Sequence, residues 1–97
     1  MNIAQLVNEF PTLRRTDPSI LEPFDSERFA KFWAAGSGGE LDAALFVLSV
    51  WNSNTDWSEC GISRCGSGRF DVHQALSNWD DAHRVVFLRW AAAPWWC

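Results

Sequence analysis

The chain has 97 residues, of which 47% are hydrophobic, 14% aromatic and 21% charged, and its formal net charge is −4. A chain of this length has room for one hydrophobic core, so a second domain is excluded and residues 1–97 are expected to form a single domain. Intrinsic disorder is disfavoured, because disordered chains combine low hydrophobicity with high net charge.

The charge is unevenly distributed along the chain. Residues 1–59 carry nine acidic side chains against four basic ones, whereas residues 60–97 carry three acidic side chains against four arginines. Non-specific binding to phosphates requires a clustered basic face, which this acidic chain does not display. Direct binding to nucleic acid is therefore not expected.

Two short helices are predicted at the start of the chain. Apolar residues at helical spacing predict a helix over residues 3–10, which Pro11 ends. Asp17 followed by Pro18 is typical of an N-cap with proline at the first helical position, and Pro23 closes this single turn.

Two longer helices follow. Asp25 as N-cap, with Phe24 placed to pack on Phe29, predicts a helix over residues 26–35, ended by a glycine-rich turn at residues 36–39. Residues 40–52 form the most hydrophobic segment and are apolar around most of the helix. Such a helix belongs in the middle of a bundle.

The second half of the chain contains a long loop and two further helices. Residues 53–69 hold Trp57, Cys60, Cys65 and three glycines without clear periodicity. Asp71 and Gln74 resemble a capping box that opens the next helix. Cap-forming residues at 77–81 favour a break before a last helix, which Pro94 ends. The predicted fold is a mostly α, compact helical bundle of about four to five helices with one long Gly/Cys-containing loop.

The cysteines and histidines are candidates for thiol or metal chemistry. Cys60 and Cys65, with His73 or His83, supply potential zinc ligands, but their spacings match no two-residue zinc knuckle. Free thiols with two helical histidines are the preferred interpretation, and a local disulfide stays open. Neither a metal nor a cofactor is expected, and no catalytic residue is assigned.

The most unusual feature is the segment Pro94-Trp95-Trp96-Cys97. These two tryptophans either fold back onto the core or stand exposed, and exposed tryptophan is typical of an interface.

The C-terminal third resembles the ends of small proteins encoded by phages and other mobile elements, a group that includes anti-CRISPR inhibitors. The residues that carry this resemblance are Phe70-Asp71, Ala75-Leu76, Trp79-Asp80, His83-Arg84, Phe87-Leu88, Trp90 and Pro94-Trp95-Trp96. The resemblance implies a compact non-enzymatic inhibitor that binds a protein subunit of a host CRISPR effector complex. It would block nucleic-acid loading or nuclease recruitment. No functional residue is carried over, because these inhibitors share no common motif.

An acidic domain of this kind suits a basic groove on a partner, where charge speeds the encounter and aromatic side chains slow release. The partner-binding residues expected on this basis are Trp57, Glu59, Asp80, Asp81, Trp95 and Trp96.

Two other functions stay open: a thiol- or zinc-containing protein that uses Cys60 and Cys65, and an accessory module that self-associates through its tryptophan-rich end. The chain lacks an apolar run of transmembrane length, and its first residues lack a secretory signal pattern. The host cytoplasm is therefore the expected location, and the oligomeric state is not determined by the sequence.

Overall fold

The computed structural model describes residues 2–96 and confirms the mostly α fold. It contains six α-helices, five of them with seven or more residues. Isolated β-bridges join Leu21 to Phe24 and Arg64 to Ser67, and no longer strand occurs among residues 2–96. The helices are α1 (Ile3–Glu9), α2 (Pro18–Leu21), α3 (Ser26–Trp33), α4 (Gly38–Trp51), α5 (Val72–Asn78) and α6 (Asp81–Ala92).

Helix starts follow the capping residues of the sequence. Asp17, Asp25, Asp71 and Asp80 each accept a hydrogen bond from a backbone N–H in the first turn of α2, α3, α5 and α6. The predicted break between α5 and α6 is confirmed, because Trp79 adopts an extended backbone between the two helices.

Helix α4 begins earlier than the sequence predicted. The predicted turn over residues 36–39 ends at Ser37, and the two following glycines form the first turn of α4. The reason is the side chain of Glu40, whose Oε1 accepts a hydrogen bond from the Ser37 backbone N–H at 2.8 Å. This contact fixes the start of the helix despite the low helix propensity of glycine.

Helix α4 lies at the centre of the bundle, and eight of its 14 residues are buried. Its Phe46 is 1% exposed and contacts five aromatic rings at centroid distances of 5.2–6.5 Å. These rings lie directly after α1 (Phe10), directly before α5 (Phe70), between α5 and α6 (Trp79) and on α6 (Phe87 and Trp90). Aromatic burial around Phe46 therefore joins the N-terminal helices to α5 and α6.

The long loop between α4 and α5 has more order than its sequence suggests. Two 3₁₀ helices occur in the structure, one at Pro11–Arg15 and one inside this loop at Trp57–Cys60. Gly68 holds the loop closed, since its N–H donates to Asp56 Oδ1 and its carbonyl accepts from the Trp57 N–H. A Cβ at position 68 would collide with the Ser58 backbone nitrogen, so only glycine allows this approach.

Candidate protein-binding surface

Helix α6 packs on the core through one face only. His83 and Val86 are buried, and the half-buried rings of Phe87 and Trp90 lie 5.3 and 5.2 Å from the ring of Phe46. These positions fall on one side of the helix because residues three and four apart are neighbours on a helix surface.

The opposite face of α6 is apolar and exposed. Val85 is 42% and Leu88 56% exposed, and Ala92 is exposed four residues further along. Trp96, just beyond the helix, is 59% exposed. We call Val85, Leu88, Ala92 and Trp96 the α6 surface. Val85, Leu88 and Ala92 share the outer side of the helix, whereas Trp96 lies against Trp90 just beyond it. Exposed apolar side chains that share one side of a helix on a small domain are typical of interaction sites.

The two terminal tryptophans have different surroundings. Trp95 is half-buried against the core, and its carbonyl accepts a hydrogen bond from the Trp90 indole N–H at 2.9 Å. Trp96 packs edge-on against Trp90, with ring centroids 4.9 Å apart, and stays largely open to solvent. Of the two outcomes that the sequence left open, packing onto the core applies to Trp95 and exposure applies to Trp96. Cys97 lies outside the described residues.

Asp80 and Asp81 lie at the other end of α6. Asp80 caps the helix, and hydrogen bonds from the His83 ring and backbone N–H hold the pKa of Asp80 below its usual value. Asp81 is highly exposed and lies 3.3 Å from the Arg84 guanidinium. Because α6 has 12 residues and spans about 18 Å, the structure separates this acidic pair from the tryptophan end.

The His83 ring lies between Asp80 and Thr12 in a line of hydrogen bonds that the sequence analysis missed. His83 Nδ1 lies 2.7 Å from Asp80 Oδ1, and His83 Nε2 lies 3.0 Å from Thr12 Oγ1. An ionised carboxylate only accepts, so Nδ1 carries the hydrogen; when the ring is neutral, Nε2 then accepts from the threonine hydroxyl. His83 is 6% exposed, and this line ties the start of α6 to the first 3₁₀ helix. The 71-residue separation of Thr12 and His83 gave no local sequence signal.

Trp57 and Glu59 lie in the 3₁₀ helix of the long loop and differ in exposure. Trp57 is 6% exposed and belongs to the core, so its ring is not presented to a partner; this removes it from the predicted anchors. The cause is the loop closure at Gly68, which turns the Trp57 side chain inward. Glu59 is exposed.

The cysteines and histidines are dispersed. Cys60 is half-buried, Cys65 is exposed, and both are free thiols, so no bridge joins them. Both ring nitrogens of His83 already have partners, and His73 is exposed on α5. Among residues 2–96, no group of three or more His, Cys, Asp or Glu side chains is placed to hold a metal ion.

Within residues 2–96, the helices are all too short or too polar to cross a membrane.

Comparisons with known proteins add no relatives. No protein-family model matches the chain, and neither a curated protein nor a solved structure matches it.

Proposed function

We propose that this chain is a non-enzymatic inhibitor that acts by binding another protein through the α6 surface. The observation that carries the proposal is the exposure of Leu88, at 56%, on a helix whose other face is already packed, together with that of Trp96, at 59%, just beyond the helix. Covering a leucine side chain contributes about 1.5–3 kcal/mol, and tryptophan is enriched among the residues that dominate binding energy.

Charged side chains border the α6 surface, and their signs determine which charges a partner needs around its own binding groove. Arg84 and Arg89 lie on α6 beside the apolar residues, and Asp81 lies at its start. Arg84 also donates to the Leu76 carbonyl and to Asp81, which holds its guanidinium in place. A partner with an apolar groove bordered by charges of both signs fits this arrangement. Asp81 and the exposed Glu59 are proposed to speed the encounter with the partner, because they attract basic side chains on its surface.

The partner class rests on the resemblance of the C-terminal third to proteins of phages and mobile elements. On that basis we propose a protein subunit of a host CRISPR effector complex as the partner, in the cytoplasm of the host cell. Bound there, the chain would block nucleic-acid loading or nuclease recruitment without touching nucleic acid itself.

An interference assay tests this proposal. Bacterial strains that each carry one defined CRISPR effector complex are challenged with a matching phage, with and without the wild-type chain. We expect the chain to restore phage plating in at least one strain. Leu88→Asp should abolish that effect, because a buried unpaired carboxylate opposes docking.

A matched variant on another helix provides the control. Phe32 lies on α3 and is 43% exposed, so Phe32→Ala removes an exposed ring outside the α6 surface. This variant should inhibit like the wild type. Failure to inhibit any effector, or full inhibition by Leu88→Asp, would overturn the proposal.

A further inference from the structure

A second feature, independent of the α6 surface, is a cleft of about 400 Å³ between α4, the end of the long loop and α5. This volume lies within the range of small-molecule sites, which is about 300–1,000 Å³. The side chains that matter for its chemistry are Asp42, Arg64, Arg69, Phe70, Asp71 and Val72.

The base of the cleft holds an ion pair that leaves polar atoms unpaired. Asp42 is 2% exposed, and its Oδ1 lies 3.4 Å from Arg64 Nε without the alignment of a hydrogen bond. Within residues 2–96, no partner of Asp42 Oδ2 or Arg64 Nε meets the distance and alignment of a hydrogen bond, although the Asn78 side chain also interacts with the Asp42 carboxylate and favours its ionised form. A buried carboxylate of this kind is costly unless hydrogen bonds satisfy it.

The same pair has a structural role that does not account for its unpaired atoms. The Arg64 guanidinium lies against Gly38, where a Cβ would approach Arg64 Nη2 to 2.9 Å. The pair therefore anchors the long loop to the first turns of α4. An anchor requires contact between Asp42 and Arg64, but it does not require that Asp42 Oδ2 be left without a donor.

The rim of the cleft carries a second acid and a second base. Asp71 Oδ1 accepts from the Gln74 N–H, and this is the one hydrogen bond found for the Asp71 carboxylate within residues 2–96. Within the described part of the chain, the Arg69 guanidinium donates hydrogen bonds to two neutral carbonyl oxygens, those of Ser53 and Asn54, at 3.4 and 3.3 Å, and its charge also acts on Asp56. Both rim residues are exposed and carry unused hydrogen-bonding capacity.

We propose that this cleft binds a small zwitterion of the α-amino acid class, with the ligand ammonium toward Asp71 and Asp42, its carboxylate toward Arg69 and Arg64, and its side chain against Val72 and Phe70. Two acids and two bases around one cleft select a ligand that carries both charges. A singly charged ligand would leave either Asp71 or Arg69 at the rim without a partner of opposite charge.

The charges at the cleft support the position of the ammonium group. Burial raises the pKa of Asp42, the Arg64 guanidinium and the Asn78 side chain oppose that rise, and the nearby charge of Asp71 adds to it. A cation placed between the two carboxylates attracts both of them and offsets their mutual repulsion. Arginine, for its part, binds a carboxylate in a planar two-point geometry.

Solution NMR with the whole chain tests the proposal, with leucine as the zwitterionic probe. Isoamylamine and 4-methylpentanoate present the same hydrocarbon with one charge each. Leucine should give saturable shifts of the Val72 and Gln74 amide signals at millimolar concentration, and each analogue should bind about tenfold more weakly, as expected for one lost charge-assisted contact. Equal binding of an analogue, or an absence of saturable shifts, would overturn the proposal.

Two variants assign the effect to the rim. Asp71→Asn keeps an N-cap for α5, and Arg69→Gln keeps the side-chain stem. Each should weaken leucine binding by about tenfold. Glu27→Gln and Lys31→Gln remove exposed charges on α3 and should leave binding unchanged. The dispersion of the remaining amide signals verifies that each variant is folded, and wild-type affinity in both rim variants would contradict the assignment.

Discussion

Helices α4 and α6 are both rich in apolar side chains, but their surroundings differ. Eight of the 14 residues of α4 are buried, whereas two of the 12 residues of α6 are. Helices α1, α3 and α5 surround α4, while α6 meets the core on one side through Phe87 and Trp90. The comparison shows that apolar residues are buried in the core in α4 and stay exposed to solvent on the outer face of α6.

The largest expected effect is in α4. Phe46→Ala removes the ring that five other aromatic rings contact, and it should lower the free energy of unfolding by about 3–5 kcal/mol. Urea denaturation followed by tryptophan fluorescence measures this loss. A loss below about 1 kcal/mol would show that α4 is not the centre of the core.

The loop closure at Gly68 gives the next effect. Gly68→Ala forces a Cβ into the backbone of Ser58 and should cost about 3 kcal/mol, at the upper end for overpacking. Gly39→Ala is the matched control, because a Cβ at that helical position would have open space, with no neighbouring atom of residues 2–96 within 4 Å. Alanine there should stabilise the chain by about 0.5–1 kcal/mol. Similar effects of the two substitutions would contradict the role of Gly68.

Two substitutions within α6 compare the buried and the exposed face of one helix. Val86 is 3% exposed and Leu88 is 56% exposed. Val86→Ala should cost about 2 kcal/mol, since it removes two buried methyl groups, whereas Leu88→Ala should change the free energy of unfolding by less than about 0.5 kcal/mol. Urea denaturation of both variants provides the test. Equal losses would mean that the outer face of α6 is also part of the core.

The smallest effect concerns pH and the cap of α6. The folded-state pKa of Asp80 lies below its unfolded value of 3.8. The ionised Asp80 carboxylate therefore stabilises the fold fully above pH 3.8, and this stabilisation is lost as the pH falls through the folded-state pKa. Asp80→Asn keeps a capping side chain but does not titrate. The stability difference between wild type and variant should therefore shrink on acidification. A difference that is constant with pH would contradict the Asp80–His83 contact.

Local sequence signals predicted most of the fold. The N-caps at Asp25 and Asp71, the cap-forming residues at 77–81 and the apolar spacing of α4 and α6 are short-range features, and the structure contains each of these helices. The sequence analysis missed the first turn of α4 because glycine has a low helix propensity, although Ser37 and Glu40 carry the capping signal.

The candidate sites were less accessible to sequence reasoning. The burial of Trp57 depends on the return of Gly68 eleven residues later, and the Asp42–Arg64 contact spans 22 positions. The exposed face of α6 depends on which neighbours cover the helix. Contacts of this kind are set by tertiary packing, which local periodicity does not encode.

The adjacent residues Trp95 and Trp96 offer the most direct test of the α6 surface. Each is changed to alanine, and the free energy of unfolding and the inhibition of CRISPR interference are measured for both variants. Trp95→Ala should lower stability, because Trp95 packs on the core, whereas Trp96→Ala should keep the wild-type stability and lose inhibition. A Trp96→Ala chain that inhibits as well as the wild type, or that unfolds as readily as Trp95→Ala, would contradict the account.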